Sequence, residues 1–168
     1  MSLSVPTDAE LKALAEQVAE GALQRRLMVV TAESCTGGWI AKTLTDLPGS
    51  SAWFDAGVVT YSYGAKEALL GVNAGTLERT GAVSEETALE MVSGALARFG
   101  AGVAVAVTGI AGPSGGTVEK PVGTVWISWK RRGGYAYATL FQFEGDREAV
   151  RRQTVAAALI GMLKTLTS

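Results

Sequence analysis

The sequence predicts an α/β protein, a three-layer α/β/α sandwich around a mixed, mostly parallel sheet of about five or six strands. First, short apolar segments alternate with amphipathic helical segments along most of the chain. Second, residues 102–108 are apolar on both faces, which is typical of a buried strand with helices above and below it. Third, residues 122–130 and 135–143 flank Arg131-Arg132-Gly133-Gly134, the spacing of a β-hairpin, so at least one strand runs antiparallel. We expect residues 1–168 to form one domain, because this length suffices for a sizeable core.

Local signals predict each element in turn. Thr7 and Glu10 form a capping box that predicts an amphipathic helix over residues 8–24. Ser84, followed by two glutamates, starts a helix that runs to Arg98, and Asp146 caps the last helix. The remaining predicted segments are, in order, a strand (27–30), a helix (39–44), a loop (46–51), a strand (56–61), a helix (65–70), a helical turn (74–80) and the last helix (147–166).

Composition excludes several classes of function. The net charge is −1 without a basic excess, so neither nucleic acid nor an anionic membrane is the expected partner. Histidine is absent, which excludes Ser-His-Asp and Cys-His catalysis and histidine-ligated metals. Cys35 is the single cysteine, so neither an internal disulfide nor a cysteine zinc site can form. Residues 1–8 lack the features of a secretory signal, and no apolar run approaches the roughly 20 residues of a membrane span, so we expect a cytoplasmic protein.

Residues 31–38 join an apolar strand to a helix and hold the first candidate site. Ser34 would present its hydroxyl where the carboxyl end of a strand meets a helix N-terminus, with backbone N–H groups available to hold an oxyanion. Alternatively, Ser34 or Thr36 is the N-cap of the helix. Cys35 is a rival nucleophile, since a helix N-terminus lowers a thiol pKa, or else a small core residue.

A serine nucleophile needs a base, and without histidine the choices are lysine, a carboxylate or tyrosinate. Lys66 follows the second predicted strand, and partial desolvation would lower its pKa. Tyr61, at the end of that strand, could relay or position the proton. The alternative is a solvated Lys66 and a Tyr61 half-buried in the core.

Two further clusters are candidate binding elements. Thr108 and the glycine-rich loop to Gly116 follow the buried strand and would share a sheet edge with Ser34 if the two strands are parallel. Neither GxGxxG nor a Walker pattern occurs there, and a mobile surface loop is the alternative. Arg147 and Arg151 lie one turn apart at the start of the last helix, a suitable arrangement for phosphate, or alternatively two solvated arginines.

Together these motifs resemble a known family. Residues 31–38, residues 57–62 with Lys66, residues 106–113 and residues 145–147 are similar to the CinA C-terminal domain family, over about residues 8–166. This family includes PncC-type nicotinamide-nucleotide amidohydrolases. The N-terminal domain of full-length CinA proteins is not in this sequence, so the chain is expected to be the stand-alone form.

The resemblance implies an enzyme that hydrolyses nicotinamide mononucleotide to nicotinate mononucleotide and ammonia in pyridine-nucleotide recycling, without a metal or cofactor. By the family pattern, Ser34 would attack the carboxamide carbon, with Lys66 as general base and Tyr61 assisting. The implied substrate-binding residues are Cys35, next to the nucleophile, and Thr36, Gly37 and Gly38, whose backbone N–H groups would hold the oxyanion. Thr108, Gly109, Ile110 and Gly112 would lie along the pyridine and ribose, and Arg147 would hold the 5′-phosphate. Family members self-associate, so we expect a homodimer or larger homo-oligomer.

One position departs from the family pattern. Tyr63 stands where many relatives carry asparagine, and we expect an aromatic ring there to reshape the pocket. Two other functions stay open from the sequence. One is a non-catalytic nucleotide-binding or competence- and damage-related regulatory module, and the other is hydrolysis of a different amide or ester by the same serine.

Overall fold

A computed structural model describes residues 4–168, so residues 1–3 of the segment considered for a secretory signal lie outside the described residues. Within that range, the helices and strands in chain order are α1 (Asp8–Arg25), β1 (Val29–Glu33), α2 (Trp39–Thr45), β2 (Phe54–Val59), α3 (Tyr63–Leu70), α4 (Ala74–Thr80), α5 (Glu85–Phe99), β3 (Val103–Gly109), β4 (Thr124–Arg131), β5 (Tyr137–Gln142) and α6 (Arg147–Thr167). A 3-10 helix, Ser50–Ala52, lies within the predicted loop region before β2. No helix in the described part of the chain is long and apolar enough to span a membrane.

The five strands form one sheet in the order β2-β1-β3-β4-β5. β1 pairs in parallel with both β2 and β3, whereas β4 pairs antiparallel with β3 and with β5. β4 is therefore antiparallel in direction to the other four strands. The mixed, mostly parallel sheet is confirmed, as is the hairpin that reverses it.

Helices cover both faces of the sheet because successive side chains of a strand point to opposite sides. On one face, the valines of β3 pack with α1 and α6 in a core that includes Leu11 and Met162. On the other face, the alanines of β3 pack with α3, α4 and α5 around Met91. Two buried cores on one sheet confirm the three-layer α/β/α architecture.

The strand bounds differ from the sequence prediction by one or two residues in β3, β4 and β5, and by two or three in β1 and β2. β1 was predicted over residues 27–30 but is Val29–Glu33, and β2 was predicted over 56–61 but is Phe54–Val59. All five residues of β1 are buried, including Glu33. A charged residue is rare in a buried strand unless its carboxylate is hydrogen-bonded, so sequence pattern alone ended the strand too early.

The parallel register brings the carboxyl ends of three strands to one edge. Glu33 aligns with Val59 of β2 and with Val107 of β3. Just beyond the strands, the Ser34 N–H donates to the Val107 carbonyl at 3.1 Å, and the Thr60 N–H donates to the Glu33 carbonyl at 2.8 Å. The segments that follow β2, β1 and β3 therefore begin side by side, which is where an α/β sheet binds ligands.

Candidate active site

Ser34 and Lys66 meet at this edge of the sheet. The amine Nζ of Lys66, in the first turn of α3, lies 3.0 Å from Ser34 Oγ and also donates to the Thr60 carbonyl at 2.6 Å. Lys66 is 1% exposed and Ser34 is 9% exposed. The alternative of a solvated lysine is therefore wrong, because the amine is buried against the serine.

Burial lowers the pKa of Lys66 to about 8, because removal from water penalises the charged amine. None of the ion pairs among residues 4–168 involves Lys66, so no carboxylate offsets that penalty. A neutral amine keeps N–H groups for the Thr60 carbonyl and has a lone pair to accept the Ser34 proton. The pair has the geometry and the proton affinity of a nucleophile with its base.

Ser34 and Thr36 do not cap α2. The N-cap of α2 is Gly38, which has φ 101° and makes no side-chain cap. Instead, the buried Glu33 carboxylate accepts hydrogen bonds from the N–H groups of Ile40 (2.8 Å) and Ala41 (3.0 Å) and from the Thr36 hydroxyl (2.7 Å). The N-cap alternative is therefore wrong, and the Ser34 hydroxyl is available to Lys66.

Sequence reasoning missed Glu33 as the residue that holds this loop. Burial raises the pKa of Glu33, while the hydrogen bonds from Thr36, Ala41 and Ile40 oppose that rise. The available signal was an acidic residue directly before a helix N-terminus, where the helix dipole favours negative charge. Its partners in α2 lie seven and eight residues away, beyond the three-residue spacing of a capping box.

Within residues 4–168, two backbone N–H groups directly after Ser34 are left without a partner residue by the turn that follows it. The Gly37 N–H, one of the predicted oxyanion donors, is already bonded to the Ser34 carbonyl at 3.0 Å. The N–H groups of Cys35 and Thr36 form no hydrogen bond to another residue among those described. A trans peptide points its N–H away from its carbonyl, so the bond to the Ser34 carbonyl also sets the direction of the Cys35 N–H.

The Cys35 thiol is not suited to be the nucleophile. Its side chain belongs to the core on the α1 and α6 face and is 5% exposed. Burial raises its pKa to about 12, so the thiolate is scarce at neutral pH. Cys35 borders the site through its backbone and packs as a small apolar residue.

Arg147 links two other predicted site residues. Its guanidinium donates to the Gly112 carbonyl at 2.7 Å and to the Tyr61 hydroxyl at 3.1 Å. Tyr61 is 61% exposed, and within residues 4–168 its hydroxyl bonds to neither Ser34 nor Lys66. The structure thus groups Tyr61 with Arg147 and the glycine-rich loop, apart from the serine–lysine pair.

The segment from Thr108 to Gly112 is anchored to its neighbours. The Thr108 hydroxyl donates to the Ala82 carbonyl at 2.7 Å, and the Ile110 N–H donates to the Thr124 carbonyl at 2.9 Å. Gly109 is the last residue of β3, next to Ile110. Gly112 has φ +81°, and a Cβ there would lie 2.5 Å from Val122 Cγ1, so this position requires glycine. These contacts hold residues 108–112 in place, whereas residues 113–116 of the predicted loop are exposed.

The predicted arginine pair is divided between two loops. Arg151 donates to the carbonyls of Cys35 and Thr36 at 3.1 and 3.0 Å, rather than lying free beside Arg147. Tyr63, the residue that departs from the family pattern, is 50% exposed at the start of α3. Its hydroxyl lies 3.8 Å from where a Cβ of Gly81 would stand, at the end of α4.

A buried serine–lysine pair at the carboxyl edge of an α/β sheet, beside unpaired backbone N–H groups, defines a site suited to nucleophilic acyl chemistry. The chain belongs to the CinA C-terminal domain family, whose model matches residues 11–166. The resemblance inferred from the motifs is confirmed.

Individual relatives agree with this assignment. The chain is 53% identical over 153 residues to "Nicotinamide-nucleotide amidohydrolase PncC" of Escherichia coli (strain K12), covering 91% of this chain and 93% of that protein. It is 54% identical over 151 residues to the protein of the same name from Pseudomonas putida, covering 90% and 94%. Among solved structures, the competence/damage inducible protein CihA from Agrobacterium tumefaciens superimposes with a TM-score of 0.91 at 48% identity, covering 100% of both chains.

Proposed function

We propose that this protein hydrolyses the carboxamide of nicotinamide mononucleotide to give nicotinate mononucleotide and ammonia, with Ser34 as nucleophile and Lys66 as base. The observation that carries the chemistry is the buried 3.0 Å contact between Lys66 Nζ and Ser34 Oγ. The substrate class is supported by the names of relatives that are 53% and 54% identical over nearly the whole chain.

In the first half-reaction, the neutral Lys66 amine takes the Ser34 proton as Oγ bonds to the carboxamide carbon. The carbonyl oxygen becomes an oxyanion, and the free N–H groups of Cys35 and Thr36 are the donors proposed to hold it. Lys66 then gives its proton to the departing ammonia as the carbon–nitrogen bond breaks, which leaves an ester on Ser34.

In the second half-reaction, Lys66 takes a proton from water, and the water oxygen attacks the ester carbon. The carbon–oxygen bond to Ser34 breaks, and Lys66 returns the proton to Oγ. The new carboxylic acid gives its proton to solvent, where ammonia takes one up, and nicotinate mononucleotide leaves as the carboxylate. Each step uses one amine that alternates between base and acid.

The remaining site residues bind and orient the nucleotide in this proposal. Arg147 is exposed and is the first residue of α6, where helix dipole and guanidinium both favour a 5′-phosphate. Tyr61 contacts the substrate beside Arg147 rather than acting as the base, since its hydroxyl bonds to Arg147. The other proposed contacts are Gly37 and Gly38 beside the reacting amide, Thr108, Gly109, Ile110 and Gly112 along the pyridine and ribose, and Tyr63 at the edge of the pocket.

We also propose a single domain over residues 1–168, a homodimer or larger assembly, a cytoplasmic location and a role in pyridine-nucleotide recycling. The single domain is supported by the two cores that share one sheet. Neither nucleic acid nor a membrane is a proposed partner, in keeping with the net charge of −1.

Ammonia release from nicotinamide mononucleotide tests the proposal, with Ser34→Ala as the variant and the exposed Ser51→Ala as its matched control. We expect Ser34→Ala to lose turnover by at least about 1,000-fold while it stays folded and binds the nucleotide in calorimetry. Ser51→Ala should match the wild type. Free nicotinamide, which lacks the phosphate, should be a poor substrate.

Two results would contradict the proposal in different ways. If Ser34→Ala turns over at nearly the wild-type rate, the nucleophile is wrong. If the wild type binds the nucleotide tightly and releases no ammonia, the chain is a binding or regulatory module instead.

A further inference from the structure

We propose that Arg151 is a positioning residue for the reaction, because its guanidinium holds the peptide group whose N–H faces the developing oxyanion. This inference rests on the proposed function. Arg151 lies one turn into α6, and its side chain reaches the loop directly after Ser34. Its Nε donates to the Cys35 carbonyl at 3.1 Å and its Nη2 donates to the Thr36 carbonyl at 3.0 Å.

These two hydrogen bonds fix two consecutive peptide planes. The Cys35 carbonyl and the Thr36 N–H belong to one trans peptide and therefore point in opposite directions. Since Arg151 holds that carbonyl toward α6, the Thr36 N–H points away from α6. The Thr36 carbonyl shares its peptide with the Gly37 N–H, which closes the turn onto the Ser34 carbonyl at 3.0 Å.

The base reaches Ser34 from the sheet face opposite α6. α6 packs on the sheet face that carries the Cys35 core, whereas α3 packs on the opposite face with Leu70 in its core. Lys66 belongs to α3 and reaches Ser34 from that opposite side. The Thr36 N–H forms no hydrogen bond to another described residue, and we infer that it lies on the side of the loop opposite α6, where the base is.

Arg151 forms its hydrogen bonds with this loop and not with a carboxylate. In the described part of the chain it forms no ion pair, whereas the adjacent Arg152 pairs with Asp8 and Glu148. Both guanidinium groups lie over the Trp39 ring, at 5.4 Å for Arg151 and 5.0 Å for Arg152. The two neighbours share charge and aromatic contact but differ in their hydrogen bonds, which makes Arg152 the matched control.

The first test compares Arg151→Met with Arg152→Met in steady-state ammonia release from nicotinamide mononucleotide. We expect Arg151→Met to lower kcat by about 100-fold, the scale of losing one oxyanion donor, with KM changed by less than about threefold. Arg152→Met should keep the wild-type kcat. The pH midpoint of kcat should stay the same in Arg151→Met, because Arg151 contacts neither the Lys66 amine nor the Ser34 hydroxyl.

A second test separates positioning from folding. Arg151 and Gly37 border an open cavity of about 640 Å³, large enough to admit a small guanidinium ion. In Arg151→Ala, millimolar methylguanidinium should restore at least tenfold in kcat, and Arg151→Lys should recover part of the rate through one carbonyl. Neither effect is expected for Arg152→Ala.

The proposal is overturned if folded Arg151→Met has a kcat within about twofold of Arg152→Met, or if Arg151→Ala shows no rescue by methylguanidinium and Arg151→Lys is as slow as Arg151→Met. Failure of the proposed function has a different signature, because the wild type itself would then release no ammonia. Equal rates in wild type and Arg151→Met would overturn the positioning role alone.

Discussion

Turnover of nicotinamide mononucleotide is expected to follow the titration of Lys66. In the proposed mechanism the neutral amine is the reactive form, and burial lowers the pKa of Lys66 to about 8. By the titration curve, the neutral fraction is about one tenth at pH 7 and about nine tenths at pH 9. We therefore expect kcat to rise about tenfold across this range and then to level off.

A solvated lysine would behave differently. With a pKa near 10.4, the neutral fraction would rise about 100-fold between pH 7 and pH 9 and would not level off by pH 9. The plateau, rather than the rise alone, therefore reports the burial of Lys66. The assay is kcat for ammonia release from pH 6 to pH 9.5 at saturating substrate, with Lys66→Met as the variant that should lose turnover.

The same burial makes a prediction for stability. The folded-state pKa of Lys66, about 8, is below its ordinary value of 10.5. Between these two pH values Lys66 is therefore mostly protonated in the unfolded chain and mostly neutral in the folded protein. The contribution of Lys66 to the free energy of unfolding is therefore largest above pH 10.5 and falls as pH drops toward 8. The interval from 10.5 to about 8 corresponds to roughly 3 kcal/mol.

Urea unfolding at pH 7.5 and pH 10 measures this contribution as the difference between wild type and Lys66→Met. We expect wild type to gain stability relative to the variant as pH rises. A kcat that is flat from pH 7 to pH 9, or turnover that survives in Lys66→Met, would contradict the role of Lys66 as base. An unfolding difference that does not change with pH would contradict its lowered pKa.

Three further changes test other parts of the molecule. Arg147→Gln should raise KM for nicotinamide mononucleotide by about tenfold or more through loss of a charged hydrogen bond to phosphate, and an unchanged KM would remove Arg147 from the phosphate site. Glu33→Gln should lower the free energy of unfolding by about 1–3 kcal/mol in urea denaturation, because an amide nitrogen cannot accept from the α2 N–H groups; equal stability would contradict this capping role. In Gly161→Ala the new Cβ would overlap the Trp129 indole, which should cost about 1–3 kcal/mol of stability with kcat per folded molecule unchanged. An unaltered urea midpoint would contradict this overlap.

The predicted fold and the observed fold agree where periodic apolar patterns are strong. The helix predicted over residues 8–24 is α1, and the doubly apolar run at 102–108 is the central strand β3. Agreement is poorest around Glu33, where a buried carboxylate lengthens β1 beyond its apolar run. A local sequence pattern shows that Glu33 is charged. It does not show the α2 N–H groups that offset the free-energy cost of burying the carboxylate.

Partners of individual side chains were harder to predict than elements. The sequence places a serine after one strand and a lysine after another, and the parallel register of those strands brings the two residues together. Arg151 shows the opposite outcome: spacing along α6 suggested a phosphate site with Arg147, yet the packing of α6 against the Ser34 loop directs its side chain to two carbonyls. Charge and spacing in the sequence identify a cationic side chain. Which group it binds depends on backbone carbonyls that are far away along the chain and close in space.

By itself, the sequence determined the alternation of helices and strands, the single reversed hairpin and the exclusion of histidine and disulfide chemistry, because these depend on composition and on local periodicity. It also restricted any base for Ser34 to an amine, a carboxylate or a tyrosinate. Only the tertiary structure decided that Lys66 is buried beside Ser34, 32 residues along the chain, and that Tyr61 bonds to Arg147 instead. Desolvation and hydrogen-bond direction arise from groups that are distant in sequence and adjacent in space, so they are set when the layers pack.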